Sequence, residues 1–306
     1  MSRAIFISAL CLFSISAIAE QKIKLALNWK AEPQFGGFYE PSLEQNFAKI
    51  GLKLVVQEGG SGTPTIQMLA NNQVDLAIVS AEEIILNNDK NPDHQVTALF
   101  ATFQTNPQIL MCRPENKFKS ISELMSSKAT VSLQAGLTYA QFLKKKYAQT
   151  KTNWVPYLGG ISNFLNDKNF CQQGFFTSEP LLAKAKGVQA DVFLVSKEGF
   201  NPYTTVVAVR TKDLAVLPIG KIVNALQVAW GNYLANPAVT NLKMGQLNKS
   251  MDPATFLASA KAQVELIEVS PLGQMQESRW QELIQQMTDL GLIKNHLKAT
   301  DQFRKL

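Results

Sequence analysis

The sequence has little of what builds a metal site or a membrane span. Its 306 residues include only 3 cysteines and 2 histidines. His94 and His296 have no cysteine or carboxylate cluster near them at metal-ligand spacing, so we expect no metal site. After residue 19, no window reaches the roughly 20 apolar residues that a membrane-spanning helix requires. The chain also lacks tandem repeats, low-complexity tracts and long linkers.

Strong charge of one sign is also missing. The chain has 30 basic and 24 acidic residues, a formal net charge of +6. The only dense basic run is residues 144–146, and three consecutive lysines on a helix point in different directions. This pattern is typical of a solvated face, and we expect no nucleic-acid partner.

The first 19 residues have the features of a cleaved signal peptide. Arg3 gives a positive start, residues 5–15 form an apolar run, and residues 17–19 form a small-x-small cleavage site before Glu20. We therefore expect export to the periplasm and a mature chain that begins at Glu20.

Cleavage would leave Cys112 and Cys171 as the remaining cysteines. In an oxidising compartment the two thiols can pair, but two distant cysteines do not make a disulfide framework. Buried free thiols fit the sequence equally well.

The segment of residues 27–41, LNWKAEPQFGGFYEP, follows an apolar alternation that predicts a half-buried strand. Pro33 and the two glycines after it predict a shaped loop that is neither strand nor helix. Ligands bind at this end of the strands in open α/β sheets. Trp29 and Phe35 give the loop aromatic faces for a small planar ligand, although such rings can also seal the edge of a core.

Short strands alternate with helices along the rest of the chain, which predicts an α/β fold with parallel sheets. We expect a change of sheet near residues 98–107 and a return near residues 192–205. These crossovers predict a first lobe of residues 20–102 plus 203–306, and a second lobe of residues 103–202.

Three motifs stand at predicted strand ends. Residues 58–64 form a glycine-rich turn whose N–H groups could bind an anion or a carbonyl. Its spacing fits neither a phosphate-binding loop nor a dinucleotide fingerprint, and no cofactor is predicted. Ser80 begins a helix with Glu82 and Glu83 in its first turn, and Glu179 precedes a proline at another helix start. Helix capping alone would also explain Ser80 and Glu179.

The order of these motifs resembles the periplasmic substrate-binding proteins grouped with the thiamine pyrimidine synthase and thiamine-precursor-binding family. The resemblance covers nearly all of the mature chain, and it implies a type II periplasmic-binding-protein fold with two α/β lobes and a ligand cleft between them. The segments that carry it are LNWKAEPQFGGFYEP, EGGSGTP, VDLAIVSAEE, QTNPQ, VPYLGGISNF, FFTSEP, GFNPYTTVVAVR and RWQEL.

The resemblance also implies a set of ligand-binding residues. Trp29 matches an aromatic that lines the pyrimidine site in relatives, and Glu179 matches a carboxylate that accepts hydrogen bonds from an amine. Gln34 stands where many relatives have histidine, so a neutral amide replaces a group that can gain a proton. The full set is Trp29, Gln34, Phe35, Gly59, Gly60, Ser80, Glu82, Tyr139, Tyr157, Gly159, Glu179, Asn201 and Tyr203.

The same family contains an enzyme, the pyrimidine synthase, and this chain departs from its pattern. Val79 stands at the place of the synthase lysine, Glu83 at that of its histidine, and residues 201–205 replace its cysteine-rich run. The resemblance therefore favours a binding protein without catalytic residues over a synthase.

The function expected from the sequence is that of an exported solute-binding protein of an ABC importer. The resemblance implies a permease partner and a small planar nitrogen-containing ligand, a pyrimidine precursor of thiamine. We expect a monomer, since two lobes already enclose a site. The alternatives left open are a synthase-like enzyme, a sensory role, and a binding protein for another small ligand such as a sulfonate.

Overall fold

The computed structural model describes residues 21–267 and 269–305, so the predicted signal peptide lies outside the described residues. The strands are β1 (Gln21–Ala26), β2 (Leu52–Gln57), β3 (Leu76–Val79), β4 (Val96–Phe103), β5 (Gln108–Cys112), β6 (Thr130–Leu133), β7 (Asn153–Pro156), β8 (Phe170–Phe175), β9 (Asp191–Leu194) and β10 (Thr204–Arg210). The helices are α1 (Gly36–Tyr39), α2 (Pro41–Ala48), α3 (Thr65–Ala70), α4 (Ala81–Lys90), α5 (Ile121–Ser126), α6 (Thr138–Lys146), α7 (Ser162–Asn166), α8 (Glu179–Ala185), α9 (Ile219–Ala235), α10 (Ala238–Leu247), α11 (Pro253–Ala262), α12 (Val264–Ile267) and α13 (Glu277–Asp289). None of the described helices is long and apolar enough to cross a membrane.

The first lobe is built on a five-stranded sheet in the order β2-β1-β3-β10-β4. β1 is parallel to β2 and β3, as the alternation of strands and helices predicts. β10 is antiparallel to both β3 and β4, so the prediction of parallel strands holds for only part of this sheet. The chain leaves the first sheet at the end of β4 and, after passing through the other sheet, returns at the same edge, where Thr204 pairs with Phe103. β10 therefore runs antiparallel to β4.

The second lobe is built on a sheet in the order β7-β6-β8-β5-β9, which is also mixed. β6 is parallel to its neighbours, whereas β5 is antiparallel to β8 and β9. Cys112 on β5 lies directly opposite Cys171 on β8, and the two form a disulfide bond. The structure thus decides between the paired and free thiols that the sequence left open.

The segment after β1 begins as an irregular loop over residues 27–32 and is helical from Pro33, so the loop predicted over residues 27–41 is correct only in its first part. Pro33–Phe35 forms a 3-10 helix and leads directly into α1. The two glycines serve close packing against α9: a Cβ atom on Gly36 would lie 2.1 Å from the Tyr233 ring, and one on Gly37 would lie 2.4 Å from the Trp230 ring. Because these large rings fill the space beside the backbone, only glycine allows the segment to lie on α9.

The two crossover segments between the sheets are joined by a hydrogen bond. The chain leaves the first sheet at Phe103 and returns to it at Thr204. Asn201 Oδ1 accepts a hydrogen bond from the Asn106 N–H at 2.8 Å. Arg279 of α13 donates to the carbonyls of Gln104 and Asn201, each at 2.7 Å. Arg279 lies in the first turn of α13, so both crossover segments are held beside the start of this helix.

Candidate functional site

A cavity of about 340 Å³ lies between the two lobes. The first lobe contributes the segment after β1, the start of α4 and the start of β10, and the second lobe contributes the ends of β6 and β8 and the starts of α6 and α8. These are loops and helix starts at strand ends, the places where an open α/β sheet offers side chains to a ligand. The lining is Asn28, Trp29, Glu32, Gln34, Phe35, Gly62, Thr63, Ser80, Glu82, Glu83, Leu86, Gln108, Gln134, Ala135, Gly136, Leu137, Thr138, Tyr139, Tyr157, Gln173, Gly174, Phe175, Ser178, Glu179, Thr204 and Thr205.

The cavity brings together eight of the side chains that the sequence analysis named. They come from both lobes, and they include aromatic rings as well as carboxyl groups. These residues are Trp29, Gln34, Phe35, Ser80, Glu82, Tyr139, Tyr157 and Glu179.

Gly59 and Gly60 of the glycine-rich turn do not line the cavity. The Gly59 N–H donates to the Trp29 carbonyl at 3.1 Å, and the Gly60 N–H donates to Thr63 Oγ1 at 2.8 Å. A Cβ atom on Gly59 would lie 2.0 Å from the Leu27 carbonyl oxygen, so this glycine allows two backbone segments to approach closely. Both N–H groups are thus already used within the protein, whereas Gly62 and Thr63 of the same turn line the cavity.

Three further predicted residues also lie outside the cavity lining. Gly159 has a φ of 87°, a left-handed conformation that suits glycine in a turn. Asn201 binds the other crossover, as described above. The Tyr203 hydroxyl accepts from the Gln276 N–H at 2.9 Å, and its ring lies 3.7 Å beneath the Arg279 guanidinium. Asn201 and Tyr203 therefore support the region between the lobes and do not form the back wall of the cavity.

Glu32 of the first lobe makes a direct hydrogen bond to the second lobe. Its side chain accepts three hydrogen bonds: from Trp29 Nε1 at 3.2 Å, from Gln34 Nε2 at 3.0 Å, and from Ser178 Oγ at 2.9 Å. Ser178 belongs to the second lobe, at the start of α8. Burial raises the pKa of Glu32, and its hydrogen bonds only partly offset that rise. The contact fixes the orientation of Trp29 and also joins the lobes.

Glu179 is the first residue of α8 and is partly buried. Burial raises its pKa to about 7, with a further contribution from the negative charge of Glu32, while a hydrogen bond from the Phe175 N–H at 2.6 Å works in the opposite direction. This bond is made by Oε2. The carboxyl group therefore keeps its proton to a higher pH than an exposed glutamate does.

The start of α4 adds two more carboxyl groups. Glu83 completes a capping box with Ser80: the Glu83 carboxylate accepts from the Ser80 N–H at 2.8 Å, and Ser80 Oγ accepts from the Glu83 N–H. Glu82 is only 6% exposed, and its Oε2 has no hydrogen-bond partner among the described residues. Burial raises the pKa of Glu82 to about 7, and the charge of Glu83 adds to this rise.

The cavity is acidic. Four glutamates line it, and the lining drawn from the described residues contains no lysine, arginine or histidine. Such a surface attracts ligands that donate hydrogen bonds or carry positive charge, and it repels anions.

Sequence reasoning missed Glu32 and Ser178 as site residues, although a signal for Glu32 was present. Glu32 precedes Pro33 at a helix start, just as Glu179 precedes Pro180. Each lobe thus places a Glu-Pro step at the cavity. Ser178 gave no comparable signal, because its partner lies 146 positions away in the sequence.

Comparison with known proteins decides the family. The model of the NMT1/THI5-like family matches residues 32–240, more than half of the chain. The chain belongs to the NMT1/THI5-like family. No curated protein matches the sequence.

Solved structures confirm the fold of this NMT1/THI5-like protein. The periplasmic aliphatic sulphonate binding protein SsuA from Escherichia coli has a TM-score of 0.69 and 8% identity, with 93% of this chain and 92% of that chain covered. The alkanesulfonate-binding protein SsuA from Xanthomonas axonopodis pv. citri, bound to MOPS, has a TM-score of 0.68 and 11% identity, with 93% and 98% covered. A ligand-binding component of an ABC-type import system from Staphylococcus aureus has a TM-score of 0.66 and 11% identity, with 93% and 97% covered. The type II periplasmic-binding-protein fold predicted from the sequence is therefore confirmed.

Proposed function

We propose that this NMT1/THI5-like protein is the exported solute-binding protein of an ABC importer, and that its ligand is a small planar pyrimidine precursor of thiamine. The observation that carries the proposal is the composition of the cavity: aromatic rings from both lobes beside buried carboxyl groups, with no basic side chain among the described lining residues. An aminopyrimidine offers two flat faces and N–H donors, which match the rings and the carboxylates.

In the proposed complex the pyrimidine ring lies between Trp29 of the first lobe and Tyr157 of the second. The exocyclic amine donates to Glu179, whose ionised form is the better acceptor. A ligand that touches both lobes binds the closed form more tightly than the open form, so it holds the protein closed. The closed protein would then deliver the ligand to the permease at the inner membrane.

The same proposal includes the organisation and location of the chain. A signal peptide of residues 1–19 directs export to the periplasm, lobe 1 comprises residues 20–102 plus 203–306, and lobe 2 comprises residues 103–202. We also propose a monomer, since the cavity draws its lining from the two lobes of one chain.

We further propose that the cavity binds its ligand without chemical change. Val79, which replaces the synthase lysine, is fully buried within β3. Glu83, which replaces the synthase histidine, is occupied in the capping box with Ser80. Recovery of the pyrimidine unchanged after incubation with the protein, judged by mass spectrometry, is the expected result.

A sulfonate is the second candidate ligand, because two of the similar solved structures are sulfonate-binding proteins. Its negative charge, however, would meet four glutamates and no basic group in the described lining. The described lining thus offers a sulfonate no counter-charge, and each carboxyl group that is ionised repels it, so the lining favours the pyrimidine.

Isothermal titration calorimetry on residues 20–306 tests the proposal with the aminopyrimidine and formylaminopyrimidine precursors, thiamine, and an alkanesulfonate. We expect a pyrimidine to bind and the sulfonate not to bind. Glu179→Gln should weaken pyrimidine binding about tenfold or more, since a charge-assisted hydrogen bond is replaced by a neutral one.

Glu265→Gln, at an exposed site on α12, is the matched control and should leave the affinity unchanged. Binding of the sulfonate alone would discard the thiamine assignment. Unchanged affinity in Glu179→Gln would remove Glu179 from the site.

A further inference from the structure

The four glutamates of the cavity differ in how much of their hydrogen-bonding capacity the protein itself uses. Glu32 accepts from three side chains, one of them in the other lobe. Glu83 accepts from both the N–H and the hydroxyl of Ser80. Glu179 accepts from the Phe175 N–H, and it is the acceptor proposed above for the ligand amine. These three groups have either a structural partner or an assigned ligand contact.

Glu82 is the exception. Its side chain lines the cavity and is 6% exposed, yet Oε2 has no donor among the described residues. A buried carboxylate oxygen without a donor is costly, and proteins normally pair such an atom or use it at a site. Glu82 also comes from the first lobe, whereas Glu179 comes from the second, so they present acceptors from opposite sides of one cavity.

We propose that Glu82 binds a positively charged ammonium group of the ligand, at the end of the molecule away from the amine that Glu179 holds. The inference rests on the proposed function and narrows it to pyrimidines with a free, protonated aminomethyl arm. A neutral arm of the same size, such as a hydroxymethyl or a formylated amine, would leave the charge of Glu82 unbalanced.

The charge of the cavity lining favours a positively charged ligand group, over a neutral hydrogen-bond donor, as the partner of Glu82. An ionised Glu82 lies in the same cavity as Glu32, Glu83 and Glu179, and no described lining residue supplies a compensating cation. Lys30 follows Trp29 in the sequence, but it is exposed and does not line the cavity. The ligand is therefore the remaining source of a counter-charge within the cavity, and a charge-assisted hydrogen bond is about twice as strong as a neutral one.

Three probes with the same aminopyrimidine ring test the inference by calorimetry: the aminomethyl compound, its hydroxymethyl analogue and its formylated amine. The wild-type protein should bind the aminomethyl compound at least about tenfold more tightly than either neutral analogue. In Glu82→Gln this preference should fall to within about threefold, through weaker binding of the aminomethyl compound alone.

Equal affinity of the wild-type protein for the charged and neutral probes would overturn the inference and leave the proposed function standing. An equal loss for all three probes in Glu82→Gln would also overturn it, because that result indicates a structural role. If Glu82→Gln does not fold, the comparison of probes on the wild-type protein decides alone. Failure of all three probes to bind would overturn the proposed function and this inference together.

Discussion

Buried carboxyl groups at the cavity make the free protein sensitive to pH. The pKa of Glu179 and that of Glu82 both lie at about 7, above the ordinary value of 4.5, and burial is the main cause for each. Between about pH 4.5 and pH 7 the folded protein therefore binds more protons than the unfolded chain. The free energy of unfolding then falls as pH rises through this window, by up to about 1.4 kcal/mol for each group and each pH unit. Below about pH 4.5 both states are protonated and the dependence disappears.

Glu179→Gln isolates this effect, because its amide carbonyl can still accept the Phe175 N–H but cannot ionise. We expect the free energy of unfolding of the wild-type protein to fall more between about pH 5 and pH 7 than that of the variant. Urea denaturation of the ligand-free protein at both pH values measures the two slopes. The comparison cancels groups whose pKa is lowered, such as Glu198 and Asp252, since both proteins contain them. Parallel slopes would show that Glu179 is already ionised across the window.

For a ligand that donates hydrogen bonds to these carboxylates, we expect the binding affinity to change with pH in the opposite direction to the free energy of unfolding. Such a ligand favours the ionised form of Glu179, so binding releases protons where the free group is still protonated. Affinity should accordingly rise toward neutral pH, while the stability of the free protein falls. The two opposite slopes share one cause, which is the desolvated carboxyl group.

At the scale of secondary structure, the disulfide ties the centre of the second sheet. Cys112 and Cys171 face each other across β5 and β8, and the bond closes a segment with a sequence separation of 59 residues. A cross-link of this kind commonly contributes about 2 to 4 kcal/mol, largely through its effect on the unfolded chain. Reduction should therefore lower the melting temperature of the wild-type protein by several degrees, measured by circular dichroism with and without reductant.

The double variant Cys112→Ala and Cys171→Ala is the control for this experiment. Its melting temperature should not respond to reductant, and it should lie near that of the reduced wild-type protein. A wild-type protein that melts at the same temperature with and without reductant would contradict the stabilising role of the bond.

The strands could be predicted from local pattern, whereas the helical segment after β1 could not. Residues 108–112 and 130–133 are predicted as strands from their apolar residues between turn signals, and β5 and β6 have these bounds. In the segment after β1, proline and glycine residues predict a loop, but packing against Trp230 and Tyr233 decides the outcome. Those two residues lie about 200 positions further along the chain, and no local pattern reports such a contact.

Only part of the site could be predicted from the sequence, because local patterns do not show which groups are used in tertiary contacts. Aromatic and acidic residues at strand ends, such as Trp29 and Glu179, have a local signal and do line the cavity. The turn at Gly59 has an equally good local signal, yet its N–H serves the backbone of Trp29. Tertiary hydrogen bonds decide which donors remain free for a ligand, and these bonds cannot be predicted from the local sequence.

At the scale of the whole molecule, the contact between Glu32 and Ser178 holds the lobes together beside the cavity. The hydrogen bond is buried and joins Oε2 of one lobe to the hydroxyl of the other at 2.9 Å. Ser259 Oγ of the first lobe also donates to the Thr177 carbonyl of the second. The Phe103 ring, at the end of β4 in the first sheet, packs against the Phe175 ring at the end of β8, with their centroids 5.6 Å apart. The closed form thus has stabilising contacts of its own, in addition to those that a ligand would supply.

Ser178→Ala should shift the protein toward an open form. Loss of this buried hydrogen bond destabilises the closed form by roughly 1 to 3 kcal/mol, and the apparent affinity for ligand falls with the closed population. We expect a larger radius of gyration for the ligand-free variant by small-angle X-ray scattering, and about tenfold weaker pyrimidine binding by calorimetry. Ser120→Ala is the matched control, because its hydroxyl caps α5 within the second lobe, and it should alter neither quantity.

The scattering measurement separates closure from direct contact, since Ser178 also lines the cavity. If the serine acted only by touching the ligand, Ser178→Ala would weaken binding and leave the radius of gyration of the free protein unchanged. If it acts through Glu32, both quantities change, and saturating ligand should restore the compact form because binding energy then replaces the lost contact. A free variant as compact as the wild-type protein would show that the remaining contacts, such as that between Phe103 and Phe175, are enough to keep the lobes closed.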